Sequence, residues 1–118
     1  MPKSDLGKAL QAARELELTV TGRVSGKKIS LPVWFTYDAG TLLLLPVKGT
    51  RTNWFRNVVK TPTLGLSLKG DSVWLSAKPS TDRDGVKKTM ESFRAKYGAG
   101  DVKKYYSKFD ACVKVRVP

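Results

Sequence analysis

A small β-barrel with helices set into it, mainly β in class, is the fold this chain predicts, on three observations. Short runs of strand-forming residues follow one another closely, with Gly, Pro, Asn and Asp turn signals between them. One of these runs, Ile29 to Tyr37, alternates apolar and polar residues in period two. The period turns helical once, from about Thr81 to Tyr106, before a last alternating run. Six strands, with a central one buried on both faces, would close such a sheet. At 118 residues the chain makes one domain, 1–118, with an N-terminal helix within 1–16 and a helical insertion over 82–106.

Taken in order, Ser4 or Asp5 caps an opening helix with Leu6, Leu10 and Ala13 on one face. Leu18 to Thr21 is a strand, and Gly22 to Lys28 a glycine-bounded basic hairpin loop. In the next strand Ile29, Leu31, Val33, Phe35 and Tyr37 share one face, and Ser30, Pro32, Trp34 and Thr36 the other. Pro32 costs this strand a ladder bond, so an edge, a bulge or a ligand-facing backbone is expected there. Asp38, Ala39 and Gly40 turn the chain back. Thr63–Leu68 and Ser72–Lys78 form a hairpin around Lys69, Gly70 and Asp71. Thr81 or Asp82 caps a helix carrying Val86, Met90, Phe93 and Tyr97 at helical spacing. Gly98–Gly100 breaks it, Asp101 caps a shorter helix through Tyr105 and Tyr106, and Ala111–Val117 is the last strand.

The stretch from Leu42 to Leu68 organises the rest. Leu42–Leu45 is an unbroken apolar run, suited to a strand buried on both faces. Pro46 ends it, and Lys48–Asn53 follow as a loop of hydroxyls, amide and cations. Thr52 or Asn53 caps a short helix through Trp54, Phe55, Val58 and Val59, which Pro62 stops. Such a loop, running into a helix start with free N–H groups, is a ready anion site, and Arg51 and Arg56 supply bidentate cations. The plain alternative is a solvated basic turn between two strands.

Composition narrows the chemistry. Lys and Arg number 22 against 10 Asp and Glu, a net charge of +12, which favours a polyanionic partner. The chain has no histidine, which removes histidine triads, histidine metal ligands and histidine bases. Its single cysteine, Cys112, makes neither an internal disulfide nor a metal site. If the protein is an enzyme, a cofactor carries the chemistry. The start lacks an apolar signal core, and no stretch reaches membrane-spanning length, so a cytoplasmic protein away from the membrane is expected.

The order of motifs then becomes recognisable. Thr21–Lys27, followed by Pro32–Leu42, Asn53–Asn57, Thr61–Leu66, Phe93–Gly98 and the terminal Val113–Val117, resembles the split β-barrel flavin and deazaflavin reductases. These include pyridoxamine-phosphate-oxidase-like proteins and the deazaflavin-dependent nitroreductase family. The resemblance spans roughly Thr19 to Val117, and its first hairpin is more like the deazaflavin branch. It implies an FMN-binding-split-barrel-like fold and a homodimer with cofactor sites at the subunit interface. It also implies hydride transfer to a small electron-poor substrate. Carried onto matching positions, Arg23, Ser25, Lys27 and Lys28 flank phosphates or an acidic tail. Thr50, Arg51, Thr52, Asn53, Arg56 and Asn57 form the phosphate cradle. The backbone of Pro32, Val33 and Trp34, with Pro46, Val47 and Lys48, lines the ring. On their own chemistry Trp34 and Trp54 fit either contact with the ring and its pocket or plain core packing.

The deazaflavin coenzyme F-420 is favoured over flavin mononucleotide (FMN), because its phosphodiester and acidic tail need a longer positive track than one phosphate does. No side chain stands out as an essential acid or base. A nucleic-acid-binding barrel is the reading from another class, since interleaved cations and aromatics also suit stacked bases and phosphates. Against it, the cations gather in two loops and a helix start instead of striping one sheet face. Trp74 fits core or dimer packing, and Tyr105 and Tyr106 fit packing or closure of the pocket.

Overall fold

The computed structural model describes the backbone of residues 3–117 and the side chains of residues 7–117. In chain order it holds α1 (Lys3–Ala12), β1 (Leu16–Thr21), β2 (Lys28–Val33), β3 (Thr36–Asp38) and β4 (Thr41–Leu44). A 3₁₀ turn over Gly49–Arg51 leads into α2 (Asn53–Lys60), β5 (Thr63–Leu68) and β6 (Asp71–Ser80). Then come α3 (Arg83–Tyr97), α4 (Ala99–Tyr105) and β7 (Cys112–Arg116).

The strands form one curled antiparallel sheet in the order β2-β1-β5-β6-β7-β4-β3. β6 carries the curl, because Asp71–Ser76 pairs with β5 while Ala77–Ser80 pairs with β7. Its two edge strands, β2 and β3, are consecutive in the chain, joined only through Trp34 and Phe35. Chain continuity therefore closes this corner of the barrel, where ladder bonds do not.

That corner is also where the strand count departs from expectation. Ile29–Tyr37 reads as one strand, giving six in all, yet it divides at Trp34–Phe35 and the sheet has seven. Phe35 and Thr36 are both buried, so the alternation slips phase and the chain bends. Leu31, Val33, Phe35 and Tyr37 still face the core, whereas Ile29 is exposed. Pro32 sits on an edge strand, as its missing N–H requires. β4 is next to the edge, not central, and buried on one face only: Leu42 and Leu44 enter the first core, Leu43 is half-buried, and Leu45 just beyond the strand enters the second.

The first core fills the barrel with Leu18, Val20, Phe35, Leu42, Leu44, Leu64, Leu66, Val113 and Val115. Helix α2 contributes Trp54, Phe55 and Val58 to it. A helix that short is marginal alone, since isolated helices need about 12–15 residues. Burying Phe55 and Val58, each worth roughly 1.5–3 kcal/mol, holds it in place. The second core joins Leu45 of the barrel to Phe93 and Tyr97 of α3, Val102 of α4 and Tyr106 just beyond it, with Trp34 packed against them.

Helix caps agree in part. Asp82 caps α3, accepting from the Gly85 N–H at 2.9 Å. Ser4 and Asp5 stand inside α1 instead of ahead of it, and their side chains lie outside the described residues. Asp101 lies in the first turn of α4, which begins directly after Gly98. No helix among the described residues is long and apolar enough to cross a membrane.

Candidate cofactor cleft

A cleft of about 600 Å³ opens where the β2–β3 corner, the loop after β4 and the end of α4 meet. Leu31, Pro32, Val33 and Trp34 make one wall, and Leu45, Val47, Lys48, Arg51, Thr52, Asn53 and Trp54 the facing one. Tyr105 and Tyr106 form the third side, and Glu15 stands among the lining residues near the corner.

The corner wall is rigid because Tyr97 staples it. Its hydroxyl accepts the Phe35 N–H at 3.0 Å and lies 2.8 Å from the Phe35 carbonyl and 2.7 Å from that of Arg14, either of which it can donate to. Its ring stacks on Trp34 at 4.2 Å and 9°. Tyr105 meets the same indole edge-on at 5.5 Å and 79°. Burial pushes the phenols of Tyr97 and Tyr106 up, so neither is an ionised base near neutral pH.

The facing wall is a wound loop. The Lys48 N–H donates to Thr52 Oγ1 at 2.8 Å, so Thr52 braces the turn it closes, while α2 begins without a side-chain cap. Gly49 holds φ +57°, and a Cβ there would collide with the Asp110 carboxylate. Asp110 needs that approach: it accepts both the N–H and the hydroxyl of Thr50, at 2.9 and 3.0 Å. Burial acts to raise the Asp110 carboxyl, but these bonds and Lys108 outweigh it and hold the group below its usual range. Ser107 N–H donates to the Val47 carbonyl at 2.9 Å. The segment after Tyr106 therefore fixes the back of the loop. The first N–H groups of α2, from Asn53 onward, have no partner within the helix and adjoin Lys48 and Arg51.

Of the residues the sequence nominated, Pro32, Val33, Trp34, Val47, Lys48, Arg51, Thr52, Asn53 and Trp54 line the cleft. The others lie outside its walls, each for a visible reason. Arg23 donates to Asn57 Oδ1 at 2.8 Å, and Asn57 also accepts the Arg23 N–H at 3.0 Å. This pair ties the first hairpin to α2. Ser25 accepts the Lys27 N–H at 3.2 Å within its own turn, leaving Lys27 exposed. Lys28 donates to Thr21 at 2.9 Å and rides over the Trp74 ring at 5.0 Å. Thr50 is held by Asp110, Pro46 is buried beneath the loop, and Arg56 is exposed on the flank of α2. The first hairpin reaches the end of the second basic loop where Arg23 donates to the Asn53 carbonyl at 3.4 Å, but the cations that line the cleft are Lys48 and Arg51.

The sequence reading passed over Glu15, Leu31 and Leu45 as lining residues and weighed Tyr105 and Tyr106 without placing them. Nothing local marks Glu15, because only the curl of the sheet brings the start of β1 to the corner. The donor set suits a deazaflavin coenzyme. Apolar lining residues lie beside two cations and a helix start that suit its acidic groups.

Three solved structures share the fold. An F420-H2 dependent reductase superposes at a TM-score of 0.66 with 18% identity, covering 87% of this chain and 94% of that one. A candidate pyridoxamine 5′-phosphate oxidase from Listeria innocua gives 0.70 and 14%, covering 98% and 92%. A domain-swapped dimer gives 0.69 and 16%, covering 97% and 92%. No curated protein sequence matches. The sequence model described as F420H(2)-dependent quinone reductase matches residues 2–118. That match spans both walls of the cleft, and this chain belongs to that family, whose members are oxidoreductases of the deazaflavin coenzyme.

Proposed function

We propose that this chain holds coenzyme F-420 in the cleft between Trp34 and Arg51 and reduces a small, planar, electron-poor acceptor, a quinone foremost. One observation carries the reading: the apolar strip and the cationic helix start share a single cleft. Lys48, Arg51 and the first N–H groups of α2 hold the acidic groups. The backbone of Pro32–Trp34, with Val47 opposite, flanks the ring, and Trp34 and Tyr105 shield its face from water. When bound, the reduced coenzyme supplies the hydride. The protein contributes position and dryness, and water supplies the remaining proton. Tyr97 and Tyr106 are not assigned as bases, since their buried phenols stay protonated.

A homodimer belongs to the proposal. The cleft is open to one side, and a chain of this size does not enclose so large a coenzyme alone. The neighbour described as a domain-swapped dimer supports pairing in this fold.

The test is single-turnover mixing of the protein, loaded with reduced coenzyme, against a series of quinones. The reading expects coenzyme oxidation in step with quinone reduction, and dimers by sedimentation with the coenzyme bound. Tight coenzyme binding with no oxidation by any quinone would make the protein a carrier instead. FMN binding with no deazaflavin binding would overturn the cofactor.

A further inference from the structure

We propose that Glu15 sets the charge preference for the acceptor, disfavouring anionic quinones; this rests on the reductase reading above. Glu15 is the only carboxylate among the residues lining the cleft. Its backbone is held on both sides. The Arg14 carbonyl lies 2.7 Å from the Tyr97 hydroxyl, and Leu16 is buried at the start of β1. The backbone that carries the carboxylate is therefore anchored in the wall and is not the tip of a loose loop. Arg14 makes no ion pair with the carboxylate; its guanidinium lies over the Tyr97 ring at 5.1 Å. Among residues 7–117 Glu15 makes no ion pair; the one ion pair there is Lys108 with Asp110.

The cleft is thus polarised along its length. Lys48 and Arg51 lie towards α2, and Glu15 lies towards the Trp34 corner. An anionic coenzyme occupies the cationic end and cancels it, so the acceptor entering the remaining space meets the carboxylate. Glu15 is solvent-exposed, so its field is screened but not abolished. A charge a few ångströms away through water-like dielectric changes relative affinity by about threefold, and reversing its sign by about tenfold.

The experiment compares a neutral methyl-naphthoquinone with a sulfonated naphthoquinone as acceptors for the coenzyme-loaded wild type, Glu15→Gln and Glu15→Lys. Relative kcat/KM for the sulfonate over the neutral quinone should rise about threefold in Glu15→Gln and about tenfold in Glu15→Lys. The change should lie in KM, shrink in high salt, and leave thermal unfolding unmoved. A ratio equal in all three proteins, or a Glu15→Gln effect equal on both acceptors, overturns the role of Glu15 and leaves the reductase reading standing. Reduction of neither quinone by the wild type overturns both.

Discussion

Tyr97 and Trp34 stack face to face at 4.2 Å, joining the last turn of α3 to the corner where the two edges of the sheet meet. Through the same residue the corner gains hydrogen bonds that no neighbouring strand supplies. One phenol thus braces the corner that the chain closes and backs the wall of the cleft. Tyr97→Phe keeps the stacking and removes the bonds, leaving the buried Phe35 N–H unpaired. The expected loss is about 1–3 kcal/mol, read as a lower urea midpoint at unchanged slope, with weaker coenzyme binding. An unchanged midpoint would show that the corner holds without the phenol.

The two nominated arginines part company. Arg51 lines the cleft and Arg56 does not. A charge-assisted bond contributes roughly 1.5–3 kcal/mol, so Arg51→Ala should weaken coenzyme binding about ten- to a hundredfold. Arg56→Ala should leave it within about threefold, acting only through screened long-range charge. Fluorescence titration of both variants separates them, and equal losses would move the anionic groups to the flank of α2.

How much of this was legible in the sequence follows from range. The loop and short helix after Leu45 were readable because Pro46, Thr52 and Pro62 act on their own neighbours. The α3 stripe was readable because Val86, Phe93 and Tyr97 repeat at the helical period. The break at Trp34 was not readable. It depends on a hydroxyl 62 residues away from Phe35, and strict alternation conceals it. The partners of Lys28 and Arg23 within the fold were hidden for a related reason. Sequence shows a cation but not the Trp74 ring or the Asn57 amide that engages it.

Gly49 and Asp110 give the loop its shape together. Gly49→Ala forces a side chain into left-handed backbone and against a carboxylate, at a cost of about 1–2 kcal/mol or more. Asp110 also predicts a pH dependence. Its carboxyl is depressed in the fold, so its stabilisation is complete above the ordinary value of 3.8 and is lost as pH falls through the folded value. Acid titration of stability should show this loss in the wild type and not in Asp110→Asn. Coincident acid profiles would place the loop's support elsewhere.

Lys96 titrates out of line with ordinary lysines. Burial, and then the charge of Arg14, lower its amine to about 8. The amine lies 2.9 Å from the Phe35 carbonyl and 3.8 Å from the centre of the Phe35 ring. The unfolded chain binds this proton more tightly than the fold does, so stability should rise with pH between about 8 and 10.5. Side-chain NMR of the lysine Nζ region should show one early titration, absent in Lys96→Met. A Lys96 midpoint near 10.5 would contradict it.

In the proposed function Lys48, Arg51 and the start of α2 hold an acidic deazaflavin against the Trp34 wall. Titration of the wild type and Arg51→Ala with coenzyme F-420 and with FMN, at low and high salt, tests it most directly. The deazaflavin should bind more tightly than FMN, with binding weakened by salt as exposed charges are screened within ~10 Å at 0.1 M, and weakened again by Arg51→Ala. Binding of neither cofactor, with strong salt-dependent binding of single-stranded nucleic acid, would contradict it.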